Sequence, residues 1–185
     1  MPVNPKNNSL GLVFGAIAFL GLGFCSPPAP ANEAINAKNF NDQIVCMADN
    51  IYWEARNQPV KGMWAVALVT DNRVNDSRFP NTHCEVIKQG PTSKWWYEHH
   101  GKIVPIRHRC QFSWFCDGKS DEPKEPTTYG RLLDISKDLV YGHLDVVDFT
   151  EGATHYHADY VYPAWRKQKK KTVEVADHIF YRCEK

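Results

Sequence analysis

The residues Tyr52-Trp53-Glu54-Ala55-Arg56 hold the sharpest chemistry in the chain. A carboxyl set between aromatic rings is poorly solvated when charged. Its proton is therefore held to higher pH and can be given away near neutrality. Cleaving a glycosidic bond needs such a donor on the leaving oxygen. From spacing alone a plainer reading stands beside it, in which Glu54 is a solvated helix residue or a partner of Arg56. His155 and His157 make a second constellation. Two apart on a strand, they share one face, as metal ligands do, with His178 as a third ligand and Glu54 as base on a zinc-bound water. The plainer reading is that these are satisfied structural histidines.

The elements that must position these groups are legible in outline. From Asp42, the residues Ile44, Val45, Ala48, Ile51, Tyr52 and Ala55 recur at helical spacing, with Asn41 as cap and Pro59 just past the end. A second helix is expected over about 60–74. Its run Met63–Val69 is apolar on all sides, which suits a buried central helix. A third is expected over about 128–141, with Leu132, Leu139 and Val140 inward and Gly142 as terminator. Residues 153–158, 172–176 and 177–183 are strand-like. The fold class is thus α+β, helices first, with a small C-terminal antiparallel sheet. On strand 153–158, Thr154 and Tyr156 share the face opposite His155 and His157.

Sequence blocks extend this reading. They are Ile51-Tyr52-Trp53-Glu54-Ala55-Arg56, Gly62-Met63-Trp64-Ala65-Val66-Ala67, Asn72-Arg73-Val74 and Phe79-Pro80-Asn81. Further on come Cys110-Gln111-Phe112-Ser113-Trp114, Gly152-Ala153-Thr154-His155-Tyr156-His157, Pro163-Ala164-Trp165 and His178-Ile179-Phe180-Tyr181-Arg182. In this order they resemble the SleB/CwlJ-type cell-wall hydrolase domain, the catalytic domain of spore cortex-lytic enzymes. The resemblance implies a lysozyme/lytic transglycosylase-like fold. It implies peptidoglycan as partner, cut between N-acetylmuramic acid and N-acetylglucosamine, with Glu54 as general acid/base and no cofactor. Substrate-binding positions would be Gln111, Phe112, Ser113, Tyr156 and Trp165. Gln111–Ser113 reads either as a groove edge or as a turn that packs Phe112 inward. Tyr156 would bond the substrate or orient Glu54, and Arg73 reads as a structural ion-pair partner in preference to a sugar ligand. The family often has a histidine where this chain has Trp53, which changes the packing beside the acid. The alternative from another enzyme class is a zinc-dependent N-acetylmuramoyl-L-alanine amidase built on His155, His157 and His178. A non-catalytic wall-binding module leaves the Glu54 block unexplained.

Compartment and partners follow from the ends and the charge. Lys6, the apolar run Leu10–Cys25 and Ala29-Pro30-Ala31 read as a secretory signal peptide over 1–31. A linker is expected over 32–41 and the catalytic domain over 42–185. The chain would be exported and monomeric, with no stable membrane association once the signal is cut. Removing 1–31 takes away one of 22 cations and none of 21 acids, so nucleic acid is not favoured. The basic run Arg166–Lys171 reads as a solvated loop or as an attraction to an anionic wall. Of six cysteines, Cys25 leaves with the signal. Cys110 and Cys116 flank a short loop that an oxidising compartment would close.

Overall fold

The run Met63–Val69 has no polar face, and the fold gives it none to satisfy. A computed structural model describes residues 31–142 and 146–184. In it α2 (Val60–Val74) is wrapped on both sides, with Met63, Ala65, Val66, Ala67, Leu68 and Val69 buried. One side packs Met63, Val66 and Ala67 against Met47, Ile51, Tyr52 and Ala55 of α1 (Ala31–Ala55), and against Leu132 and Ile135 of α5 (Pro126–Tyr141). Fully burying a side chain such as Leu132 contributes about 2 kcal/mol. The other side packs Ala65 and Val69 onto Ala153, Val175 and Phe180. Those last residues belong to or adjoin a sheet of β1 (His155–Ala158), β2 (Lys170–Val175) and β3 (His178–Arg182), in the order β1-β3-β2 and antiparallel throughout. The α+β expectation holds, and Gly142 does end α5, in the left-handed region at φ 64°.

Four local expectations are revised. Residues 32–41, expected as a linker, are helical, because α1 starts at Ala31 and runs unbroken to Glu54, which leaves Asn41 inside a helix. Val45 is 45% exposed, since the face of α1 that packs is the one carrying Ile44, Met47, Ala48 and Ile51. Two short helices, α3 (His83–Ile87) and α4 (Lys94–His100), lie where none was expected. Arg166–Lys171 is a 3-10 turn running into β2, and Lys171 pairs there with Glu174. The signal-peptide reading of 1–31 falls outside the described residues except for Ala31. Among the described residues no helix is long and apolar enough to cross a membrane.

Among the described residues there are two disulfides. Cys46–Cys84 joins α1 to α3, and Cys110–Cys116 closes the loop that carries Gln111–Ser113, as expected. Cys183 is a free thiol whose Sγ meets Lys169 Nζ at 3.0 Å. Gly90 sits so close to the Cys110 backbone that a Cβ there would lie 3.0 Å from Cys110 Cα. Close approach, more than backbone freedom, explains that glycine.

Candidate active site

Glu54 lies in the last turn of α1, where the core face of the helix meets the sheet. Tyr52 and Ala55 on either side are buried and anchor the turn. Tyr156 reaches across from β1 and donates its hydroxyl to Glu54 Oε2 at 2.9 Å. Burial raises the Glu54 pKa above the ordinary glutamate value, and the Tyr156 hydrogen bond and the charge of Arg73 only partly offset it. The carboxyl is thus biased toward its protonated form. Arg56, the rival partner, turns away: its guanidinium lies over the Tyr52 and Trp53 rings and pairs with Glu125 at 3.8 Å.

Around the carboxyl is a small cavity of about 160 Å³, lined by Glu54, Arg73, Gln111, Phe112, Ser113 and Tyr156. Phe112 is 3% exposed and packs with Val86 and Ile87, while Gln111 and Ser113 stand exposed on the rim. The turn that packs Phe112 inward is thus present, and it leaves Gln111 and Ser113 at the mouth of the cavity. A buried polar link sets the loop against the helices: Trp114 Nε1 donates to Asn50 Oδ1 at 3.0 Å, and Asn50 Nδ2 donates to Thr70 Oγ1 at 3.2 Å. These bonds satisfy groups that would be costly to bury alone. Ser113 also lines a wider groove of about 460 Å³ with Trp53, Trp114 and Asp121. Trp53 donates its indole N–H to the Asp121 carbonyl at 3.2 Å and so forms one wall of that groove. A larger hollow of about 590 Å³ at Asn72, Asp76, Arg78 and Thr154 has no aromatic lining, and its acid is ion-paired with Arg78.

Residues 57–181 match the family model for cell wall hydrolases. The chain belongs to that family. A spore cortex-lytic enzyme of Bacillus cereus is 43% identical over 60 residues, which is 31% of this chain and 23% of that protein, so the match spans about a quarter of the relative's length. Two solved structures share the fold. The catalytic domain of the germination-specific lytic transglycosylase SleB from Bacillus anthracis superposes with a TM-score of 0.52 at 26% identity, covering 76% of this chain and 93% of that one. The catalytic domain of the Bacillus cereus SleB protein gives 0.51 at 26%, covering 77% and 91%. The family match begins at residue 57, just past Glu54. The case for Glu54 in this cell wall hydrolase therefore stands on the cavity geometry.

Of the site residues expected from sequence, Glu54, Gln111, Phe112, Ser113 and Tyr156 line one cavity. Trp165 does not; its ring packs against His155, His157 and Tyr181 on the opposite face of β1. The three histidines of the amidase alternative are split by the sheet. His155 and His157 face Trp165, whereas His178 pairs in register with Ala158 and turns its ring toward Tyr156 at 5.2 Å. Among the described residues no group of three His, Cys, Asp or Glu is placed to hold a metal. Arg73 is the residue that sequence reasoning misjudged. Among the described residues it makes no ion pair; its Nε donates to the Thr154 carbonyl at 2.7 Å, and its guanidinium lies over the Phe79 and Phe112 rings. A cation at the end of an apolar helix, followed by two phenylalanines in family blocks, was the available signal.

Proposed function

We propose that the chain cuts the glycan strand of peptidoglycan between N-acetylmuramic acid and N-acetylglucosamine as a lytic transglycosylase, with Glu54 as acid and then base. One observation carries this reading: Glu54 is the only carboxyl among the six residues lining the cavity, and burial biases it toward the protonated form. In most glycoside hydrolases of either stereochemistry a second carboxylate stands across the scissile bond. The spare candidates in sequence are Asp148 and Glu151. Asp148 accepts hydrogen bonds from Asn72 Nδ2, Thr150 N and Oγ1, and Gly152 N, which shape the turn before β1. Burial pushes its pKa up, but those bonds outweigh burial and hold it low. Glu151 is exposed on the same turn.

With one carboxyl the balance is as follows. Glu54 gives its proton to the glycosidic oxygen as the bond from the muramic anomeric carbon to that oxygen breaks. The muramic C6 hydroxyl then bonds to the anomeric carbon, and its proton returns to the Glu54 carboxylate. No water is consumed, and the product ends in a 1,6-anhydro sugar. Tyr156 keeps the carboxyl oriented in both halves, and Gln111 and Ser113 offer hydrogen bonds to sugar hydroxyls at the rim. The disulfides Cys46–Cys84 and Cys110–Cys116 fit an exported protein that meets its substrate outside the cytoplasm. Mass spectrometry of fragments released from purified peptidoglycan tests the reading. Anhydro ends, lighter by one water than reducing ends, support it; reducing ends carrying labelled oxygen from water overturn the transglycosylase step.

A further inference from the structure

Arg73 is 2% exposed, and its Nη1 is buried with no hydrogen-bond partner among the described residues. Its other contacts fix the group in place: Nε is held by the Thr154 carbonyl, and the Phe79 and Phe112 rings lie 5.4 and 5.2 Å from Cζ. A buried charged donor without an acceptor is costly. Here the cost is localised beside Glu54, in a cavity that Arg73 itself lines. Such a donor selects the strongest acceptor that fits. In a glycan strand, amide carbonyls accept better than hydroxyls or ring ethers, and they are of two kinds. The lactyl carbonyl of muramic acid carries the peptide stem, which is far bulkier than an acetyl group. The 2-acetamido group is small, and its methyl needs an apolar surface, which Phe112 supplies.

We propose that Arg73 is the acetamido-recognition residue of this site, with Nη1 donating to the acetamido carbonyl of the sugar held at Glu54 and the acetyl methyl lying against Phe112. The inference rests on the reading of the chain as a glycan-strand-cleaving enzyme. It makes the N-acetyl group a specificity determinant, sensed by the same guanidinium whose charge faces the acid.

The test is a two-by-two comparison of kcat/KM. Wild type and Arg73→Met are each assayed on purified peptidoglycan and on the same material N-deacetylated, with re-acetylated glycan as control. Wild type should lose tenfold to a hundredfold on deacetylation, about the worth of a hydrogen bond to a charged donor. Arg73→Met should lose a similar factor on native peptidoglycan and then be nearly indifferent to deacetylation; Arg73→Lys should recover part of the preference. An Arg73→Met enzyme that keeps the wild-type preference for acetylated glycan overturns the proposal. If Arg73→Met does not fold, calorimetry with inactive Glu54→Gln protein decides. Tri-N-acetylchitotriose must bind at least tenfold more tightly than the deacetylated trimer, and equal binding overturns the proposal. A wild type that releases no fragments from either material removes the underlying reading, and this inference with it.

Discussion

The two faces of β1 carry similar raw material and do opposite things. Toward α1, Tyr156 meets Glu54, and a cavity opens that Arg73 helps to line, its Nη1 buried and without a hydrogen-bond partner among the described residues. On the other face, toward the 3-10 turn at Ala164–Gln168, His155 and His157 pack against Trp165, and His157 stacks on Tyr181 of β3. His157 uses both ring nitrogens, on the Ala158 carbonyl at 2.8 Å and the Tyr181 hydroxyl at 3.1 Å. His155 Nδ1 meets Thr154 Oγ1 at 2.9 Å, and burial first, then Lys169, Arg73 and Arg78, lowers its pKa to about 4. The lesson is that titratable residues alone do not mark a site. What separates the faces is space together with hydrogen-bonding capacity that the fold has left unspent.

The strongest way to break this contrast is Glu54→Gln, which keeps the shape and removes the acidic proton. Lytic activity should fall about a thousandfold, read by fragment release. The same variant carries a stability signature. Glu54 has a raised folded-state pKa, so its contribution to stability is fully present below the unfolded glutamate value and is lost as pH rises through the folded value. Glu54→Gln should therefore melt higher than wild type near pH 7 and show no such gain near pH 4. Equal melting temperatures at both pH values would mean the carboxyl is not held protonated by burial.

Tyr156→Phe should cost about tenfold in kcat, because the carboxyl loses the donor that orients it. Tyr156 lowers the Glu54 pKa, so removing its hydroxyl should move the alkaline limb of the pH–rate profile to higher pH. A shift to lower pH would contradict the assigned hydrogen bond. On the other face, His157→Phe should leave activity per folded molecule within about twofold. It should cost stability worth about 1 kcal/mol, because the Tyr181 hydroxyl loses its partner. A large loss in kcat at full stability would show that this face takes part in the chemistry. The smallest effect is expected from EDTA followed by metal-free dialysis, which should leave turnover unchanged. Loss restored specifically by zinc would reverse the comparison and return attention to the histidines.

Where the sequence spoke through local rules, the reading held. The apolar run of α2, the terminator Gly142 and the alternation that sets Tyr156 against His155 and His157 need only neighbours within a turn or a strand. Two elements were missed although their signals are local: Thr82 caps α3 by accepting from Glu85 N, and Ser93 and Gly101 bracket α4. Other errors depended on distant partners. Arg73 finds its carbonyl at Thr154, far along the chain, and no spacing rule announces a main-chain acceptor. Sequence alone does not separate His178 from His155 and His157; the β1–β3 register does, by putting it on the other face. The Cys46–Cys84 pairing, which the sequence leaves open, follows from how α1 and α3 pack.

The direction in which α1 enters the site has a consequence of its own. The peptide dipoles of a helix add to roughly half a negative charge at the C-terminal end. Glu54 sits in that last turn, which contains no basic residue. A carboxylate formed there meets a like-signed pole, so the polarity of the backbone resists ionisation in the same sense as burial does. The same glutamate on a helix running the other way would face the positive pole and ionise readily, which suits a nucleophile and not a proton donor. Grafting this acid onto another scaffold would thus require keeping the helix tail-first toward the sugar.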